Sequence, residues 1–112
     1  MVKTISREEL QTKLNSEDSS VILIDALPET AYRKNHIPGA INIPSDYIKE
    51  VAPKQIPNKN AEIVVYCGNA NCKRSQRAAE RLEELGYNNI WDYHEGRQDW
   101  EAGNLPISTL NN

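Results

Sequence analysis

Two runs of residues, VILI within VILID at 21–25 and IVVYC within EIVVYC at 62–67, are apolar at every position rather than at alternate ones. A run without alternation has both faces buried, as in a parallel sheet covered by helices on each side. Helical patterns separate the runs. Ser6 stands three residues before Glu9, the spacing of a capping box, and Leu10 and Leu14 mark one face of the helix that follows. After the second run, Ala78, Ala79, Leu82 and Leu85 recur at helical spacing, with Gly86 at the stop position.

Shorter segments fill in the alternation. VKTI (2–5) and NNIWDY (88–93) read as strands, and IPGAINIP (37–44) as a Pro-Gly turn leading into a brief strand. PETAYRKNH (28–36) allows one or two helical turns starting at Pro28, SDYIKEVA (45–52) a short helix capped by Ser45, and EGRQDWEAG (95–103) a short helix carrying Trp100. PKQIPNKNAE (53–62), with two prolines, reads as a surface linker. Strands alternating with helices predict a three-layer α/β domain with a mostly parallel sheet.

A chain of 112 residues has room for one core, so a single domain over 1–112 is expected, with 103–112 as an irregular tail. Charged residues at 26% and hydrophobic residues at 38% suit a globule, not a disordered chain. A net charge of -3 argues against nucleic acid and acidic membranes as partners. The apolar runs are too short to span a bilayer, and no basic leader precedes one. The expected compartment is the cytoplasm, where thiols stay reduced unless catalytic. Phe is absent, which leaves Ile, Leu, Val, Tyr and two Trp to fill the core.

Both cysteines lie in IVVYCGNANCKRSQRAAERLEELG (63–86), at one strand-to-helix turn. In open parallel sheets, ligands bind beyond the carboxyl ends of the strands. Backbone N–H groups at a helix start lack intrahelical partners, and together with the helix dipole they stabilise an anion. Lys73, Arg74 and Arg77 add positive charge. A thiolate at Cys67 is therefore expected to have a pKa lowered from about 8.5. Gly68 and Ala70 allow the backbone to curl around a bound anion. The alternative is that Cys67 is a small apolar residue closing a buried strand.

LIDALPETAYRKNHIPGAINIP followed by IVVYCGNANCKRSQRAAERLEELGYNNIWDYHEGRQDW resembles the rhodanese, or sulfurtransferase, domain over roughly residues 4 to 107. The most specific parts are HIPGAINIP, the strand-cysteine loop with RSQRAAERL, and GYNNIWDYHEG running to Trp100. The resemblance implies a parallel five-stranded sheet flanked by helices, a catalytic Cys67, and a substrate site formed by Gly68, Asn69, Ala70, Asn71, Cys72, Lys73 and Arg74. It further implies sulfur transfer in two half-reactions through a covalent intermediate. Cys67 takes the outer sulfur of thiosulfate or a persulfide, and an acceptor such as cyanide or a thiol removes it. No metal or organic cofactor is required, and a monomer suffices.

Three departures from the family pattern stand out. Six residues separate Cys67 from Arg74, two more than usual; either the loop is longer, or it is CGNANC and the helix begins at Lys73. The common Asp-Val-Arg after the second strand is Asp25-Ala26-Leu27, and the common Gly-Gly before the last helix is Glu95-Gly96. Cys72 is either a resolving thiol for Cys67 or a small residue at the loop-helix junction.

The same residues admit other readings. A zinc site from Cys67, Cys72, His36 and His94 lacks the usual histidine spacing. His36 fits a turn-shaping backbone hydrogen bond, and Asp25 either orients the loop or caps a turn. Tyr32, Trp91 and Trp100 fit anchors with satisfied polar tips. Cysteine-dependent phosphatases and arsenate reductases share the fold, but need an Arg at a different spacing. Some rhodanese-like domains are non-catalytic binding modules, which commonly lack the cysteine.

Overall fold

The computed structural model describes residues 2–16 and 20–110. The strands are β1 (Lys3–Thr4), β2 (Ile22–Asp25), β3 (Ile41–Asn42), β4 (Ile63–Tyr66) and β5 (Ile90–Tyr93). The helices are α1 (Arg7–Asn15), α2 (Glu29–Lys34), α3 (Ile48–Gln55), α4 (Arg74–Glu84) and α5 (Gly96–Ala102). Among the described residues one sheet runs in the order β1-β5-β4-β2-β3, and every ladder is parallel. This is the expected three-layer α/β architecture.

Strand β4 shows why the apolar runs are continuous. It is central, and all four of its residues are buried. Ile63 and Val65 join a cluster with Ile48, Ala52, Ala78 and Leu82 from α3 and α4. Val64 and Tyr66 turn to the opposite face, where Leu10 of α1 and Trp100 of α5 meet them. Removing one such side chain from water contributes roughly 1.5–3 kcal/mol, so this strand alone carries a large share of the driving force.

The local signals operate as their chemistry dictates. Ser6 and Glu9 form the reciprocal capping box at the start of α1. Gly86 takes φ +98° after α4, and the Gly86 and Tyr87 amides close back on Glu83 and Leu82 in a Schellman arrangement. The polar tips of Tyr32, Trp91 and Trp100 are bonded to Ala40 O, Glu62 and Pro106 O.

Two expectations need correction. Ser45 does not cap a helix: it is buried and opens a 3₁₀ turn, Ser45–Tyr47, with no side-chain cap bond. The helix α3 then continues through Pro53 into the segment read as linker. Pro53 removes one intrahelical bond, but Ile48, Ala52 and Ile56 are essentially fully buried along this stretch, and that burial outweighs the loss. Beyond α5, Leu105 and Ile107 pack on the second cluster, and Ser108 bridges antiparallel to His36. No helix among the described residues is long and apolar enough to cross a membrane.

Candidate active site

The chain leaves β2 toward β3 and leaves β4 toward β5, in opposite directions across the sheet, and β2 and β4 are neighbours. Their carboxyl ends therefore flank a topological switch point, where such sheets open a crevice. The cysteine loop is the exit from β4. Pro28 and Glu29 follow the exit from β2.

The floor of this crevice is a buried polar group. Tyr66 donates its hydroxyl to Asp25 Oδ2 at 2.9 Å and accepts the Ile37 amide at 3.0 Å. The other Asp25 oxygen accepts the Leu27 amide at 2.9 Å. Burial pushes the Asp25 pKa up, partly offset by these two donors and by the charges of Arg97 and His36. The same burial, beside the Asp25 charge, pushes Tyr66 far above the ordinary phenol range. Asp25 thus both caps a turn and fixes the residue that precedes Cys67.

Cys67 follows directly and is 0% exposed. Its side chain belongs to neither apolar cluster; it turns into the loop, where it is joined to Cys72 as a disulfide. The Cα atoms lie 6.4 Å apart, within the range a bridge spans. Between them the backbone folds on Asn69. Its carbonyl accepts the Cys72 amide at 3.1 Å, and its side-chain oxygen accepts the Asn71 amide at 2.9 Å. In this closed state the Asn71 and Cys72 amides face Asn69, so they do not form the anion cradle expected of the loop. Gly68 and Ala70 are half-buried, and Asn71, Lys73 and Arg74 are exposed. The helix starts at Arg74 with Lys73 as its N-cap, one residue later than a six-residue loop predicts.

Helix α5 clamps the loop from the other side. Arg97 and Gln98 donate their amides to the carbonyls of Cys67 and Gly68 at 2.8 and 2.9 Å. Gly96 sits at φ +76°, and a Cβ there would fall 2.7 Å from the Cys67 carbonyl oxygen and 2.8 Å from Asn69 N. Only a residue without a side chain permits this approach. In the sequence Gly96 stands out only as the remaining half of a Gly-Gly pair; its readable signal is a glycine opening a helix. The Arg97 guanidinium reaches Asn35 O at 3.2 Å, tying the clamp to the turn before Ile37.

On the β2 and β3 side lies an open cleft of about 350 Å³, lined by Pro28, Glu29, Asn42, Tyr47 and Arg74 among others. The histidines are not part of the site. His36 is buried, stacks on Tyr32 and contacts Tyr32 O through Nδ1 at 2.8 Å, while His94 is exposed. Among the described residues no cluster of three His, Cys, Asp or Glu is placed to hold a metal ion.

Comparison with known proteins decides the family. The sequence pattern of the Rhodanese-like domain matches residues 6–103. The chain belongs to the rhodanese-like family. It is 40% identical over 67 residues to thiosulfate sulfurtransferase PspE of Escherichia coli (strain K12), covering 60% of this chain and 62% of that protein. It is 30% identical over 99 residues to the putative sulfur carrier protein YrkF of Bacillus subtilis (strain 168), covering 88% of this chain and 51% of that one. This rhodanese-like chain thus spans less than two thirds of the length of either relative. Among solved structures, the BH2092 protein from Bacillus halodurans superimposes with a TM-score of 0.88 at 25% identity, covering 96% of this chain and 77% of its own. A rhodanese with anions from E. coli gives 0.68 at 31% identity, covering 80% and 99%.

Proposed function

We propose that this rhodanese-like domain is a sulfurtransferase in which Cys67 carries the sulfur and Cys72 resolves it. The observation that carries the reading is the pair itself: a cysteine at the end of the central strand, at the switch point, bonded to a second cysteine on the same loop. The PspE relative, named for thiosulfate, points the same way.

In the first step the Cys67 thiolate attacks the outer sulfur of thiosulfate or another sulfane donor. The donor S–S bond breaks, sulfite departs with the electron pair, and Cys67 holds a persulfide. The sulfur then leaves by one of two routes. An external thiolate or cyanide attacks the terminal sulfur and restores the Cys67 thiolate. Alternatively the Cys72 thiolate attacks Sγ of Cys67, hydrosulfide leaves, and the Cys67–Cys72 disulfide forms. In that route two thiols are oxidised and the sulfane sulfur is reduced; an external dithiol resets the pair. The reaction is placed in a reducing compartment such as the cytoplasm, which supplies that dithiol. The domain acts as a monomer without metal or organic cofactor.

The test begins with fully reduced protein exposed briefly to thiosulfate and analysed by mass spectrometry. One added sulfur atom is expected on the Cys67 peptide, followed by sulfide release and the disulfide. Cys72→Ser should hold the added sulfur longer and release no sulfide without an external thiol. Absence of sulfur on Cys67 overturns the reading, and identical discharge in Cys72→Ser removes the resolving role.

A further inference from the structure

On the sulfurtransferase reading, residue 67 carries negative sulfur both before and after loading, first as thiolate and then as persulfide anion. Beneath it stands a second acidic group. Asp25 is 0% exposed and pairs across the ladder with Tyr66, the residue before Cys67. The exit of β2 offers it no cation, because Ala26 and Leu27 are apolar. The Leu27 amide and the Tyr66 hydroxyl hold its oxygens, but both donors are neutral and leave its charge uncancelled. A buried carboxylate so placed opposes ionisation of the thiol above it.

Arg97 supplies a cation on this side of the loop. Its backbone amide bonds the Cys67 carbonyl at 2.8 Å, so its side chain starts against the loop itself. From there Nη1 donates to Asn35 O at 3.2 Å, two residues before the Ile37 amide that Tyr66 accepts. The guanidinium lies in the corner where α5, the Asn35 turn and the Asp25–Tyr66 pair meet. Burial raises the pKa of Asp25 and of Tyr66, and the Arg97 charge opposes that rise in both. Its ion pair with Glu101, a turn along α5, is 3.6 Å long at Nε, and the Glu101 side chain is 41% exposed, where water screens it. His36 adds a weaker positive influence on Asp25. The other charges around the loop, Lys73 and Arg74 on α4 and His94 and Glu95 after β5, are exposed, while Asp92 of β5 is buried with its pKa raised by that burial.

We infer that Arg97 is a positioning residue for sulfur loading: its guanidinium offsets the Asp25 carboxylate and so favours the anionic forms of sulfur at Cys67. The inference rests on the sulfurtransferase reading. Arg97 touches no reacting atom. Its amide fixes the loop backbone and its charge sets the field beneath the loop.

The test uses reduced Cys72→Ser protein, in which Cys67 is the sole thiol. Iodoacetamide alkylation followed across pH gives the titration midpoint of Cys67, and brief thiosulfate exposure gives the loading rate. Arg97→Met keeps the backbone amide and removes the charge. Its midpoint should rise by about half to one unit, with loading at neutral pH slowed about three- to ten-fold. Arg97→Lys should restore most of both. Asp25→Asn should move the midpoint the opposite way, and adding it to Arg97→Met should bring the midpoint back toward that of Cys72→Ser alone. An unmoved midpoint in Arg97→Met, or a double variant no closer to the starting value, overturns the inference. If Arg97→Met does not fold, Asp25→Asn decides, and the lack of a downward shift overturns it. A protein whose midpoint shifts as expected, yet which never takes up sulfur, overturns the sulfurtransferase reading instead.

Discussion

Gly96 and Asp92 stand close to one another in sequence and illustrate opposite demands. At Gly96 the loop backbone occupies the space a Cβ needs, and φ is +76°. Gly96→Ala should cost at least about 1 kcal/mol from the left-handed backbone alone, and should slow sulfur loading because the Cys67 and Gly68 carbonyls must shift. Chemical denaturation and the loading rate measure the two effects separately. Asp92 is 6% exposed, and its Oδ1 has no hydrogen bond among the described residues. Burial raises its pKa above 3.8, partly offset by the neighbouring Ser75 hydroxyl and the His94 charge. The folded state therefore keeps this proton to higher pH than the unfolded chain. The stability tied to the neutral acid is intact below the ordinary value and is lost as pH rises through the raised one. Asp92→Asn should accordingly be more stable than the parent at neutral pH, with the gain shrinking toward pH 4 and below. Urea unfolding across that range decides it; an equal difference at every pH would exclude the carboxylate charge as its source.

Among the elements, α3 depends most on a distant partner. The Tyr87 hydroxyl, buried, reaches the carbonyls of Ala52 and Ile56 where the helix ends. Tyr87→Phe should lower stability by about 1–2 kcal/mol, the cost of a buried acceptor left unmet, seen as a lower urea midpoint at unchanged slope. This same helix marks where the sequence was least readable. β2, β4, α1 and α4 announce themselves through continuous apolar runs, a capping box and a terminal glycine, all of which are local. The extension through Pro53 has no local signal, since proline and polar neighbours argue for a loop, and only the apolar surface waiting on α4 and β4 reverses that. Ser45 misleads for a related reason: its amide bonds Ala26 O of another strand exit, and the residue is drawn inside as the first position of a 3₁₀ turn, with Pro44 at the capping position.

For the molecule as a whole, the site divides into a legible half and an illegible one. The strand end, the cysteine and the basic helix start are contiguous in the chain, so pattern and resemblance locate them. The clamp from α5 and the cleft wall at Glu29 and Tyr47 arise only when five separate segments converge, and no local spacing encodes that. The bridge also affects the whole fold. Closing so short a loop restricts the unfolded chain by up to about 2 kcal/mol, so the oxidised parent should melt above the reduced one, with no such difference in Cys72→Ser.

The hydrogen bonds of Tyr66 with Asp25 and Ile37 unite two strand ends and an irregular turn beneath the Cys67 sulfur. Local fluctuations that open the turn must also break this junction, so the Ile37 amide, although outside any strand, should retain its proton in deuterated solvent about as long as the amides of β4. In the proposed cycle the moving parts are then confined to the six residues above that junction, and sulfur loading should leave the slow-exchanging set undisturbed.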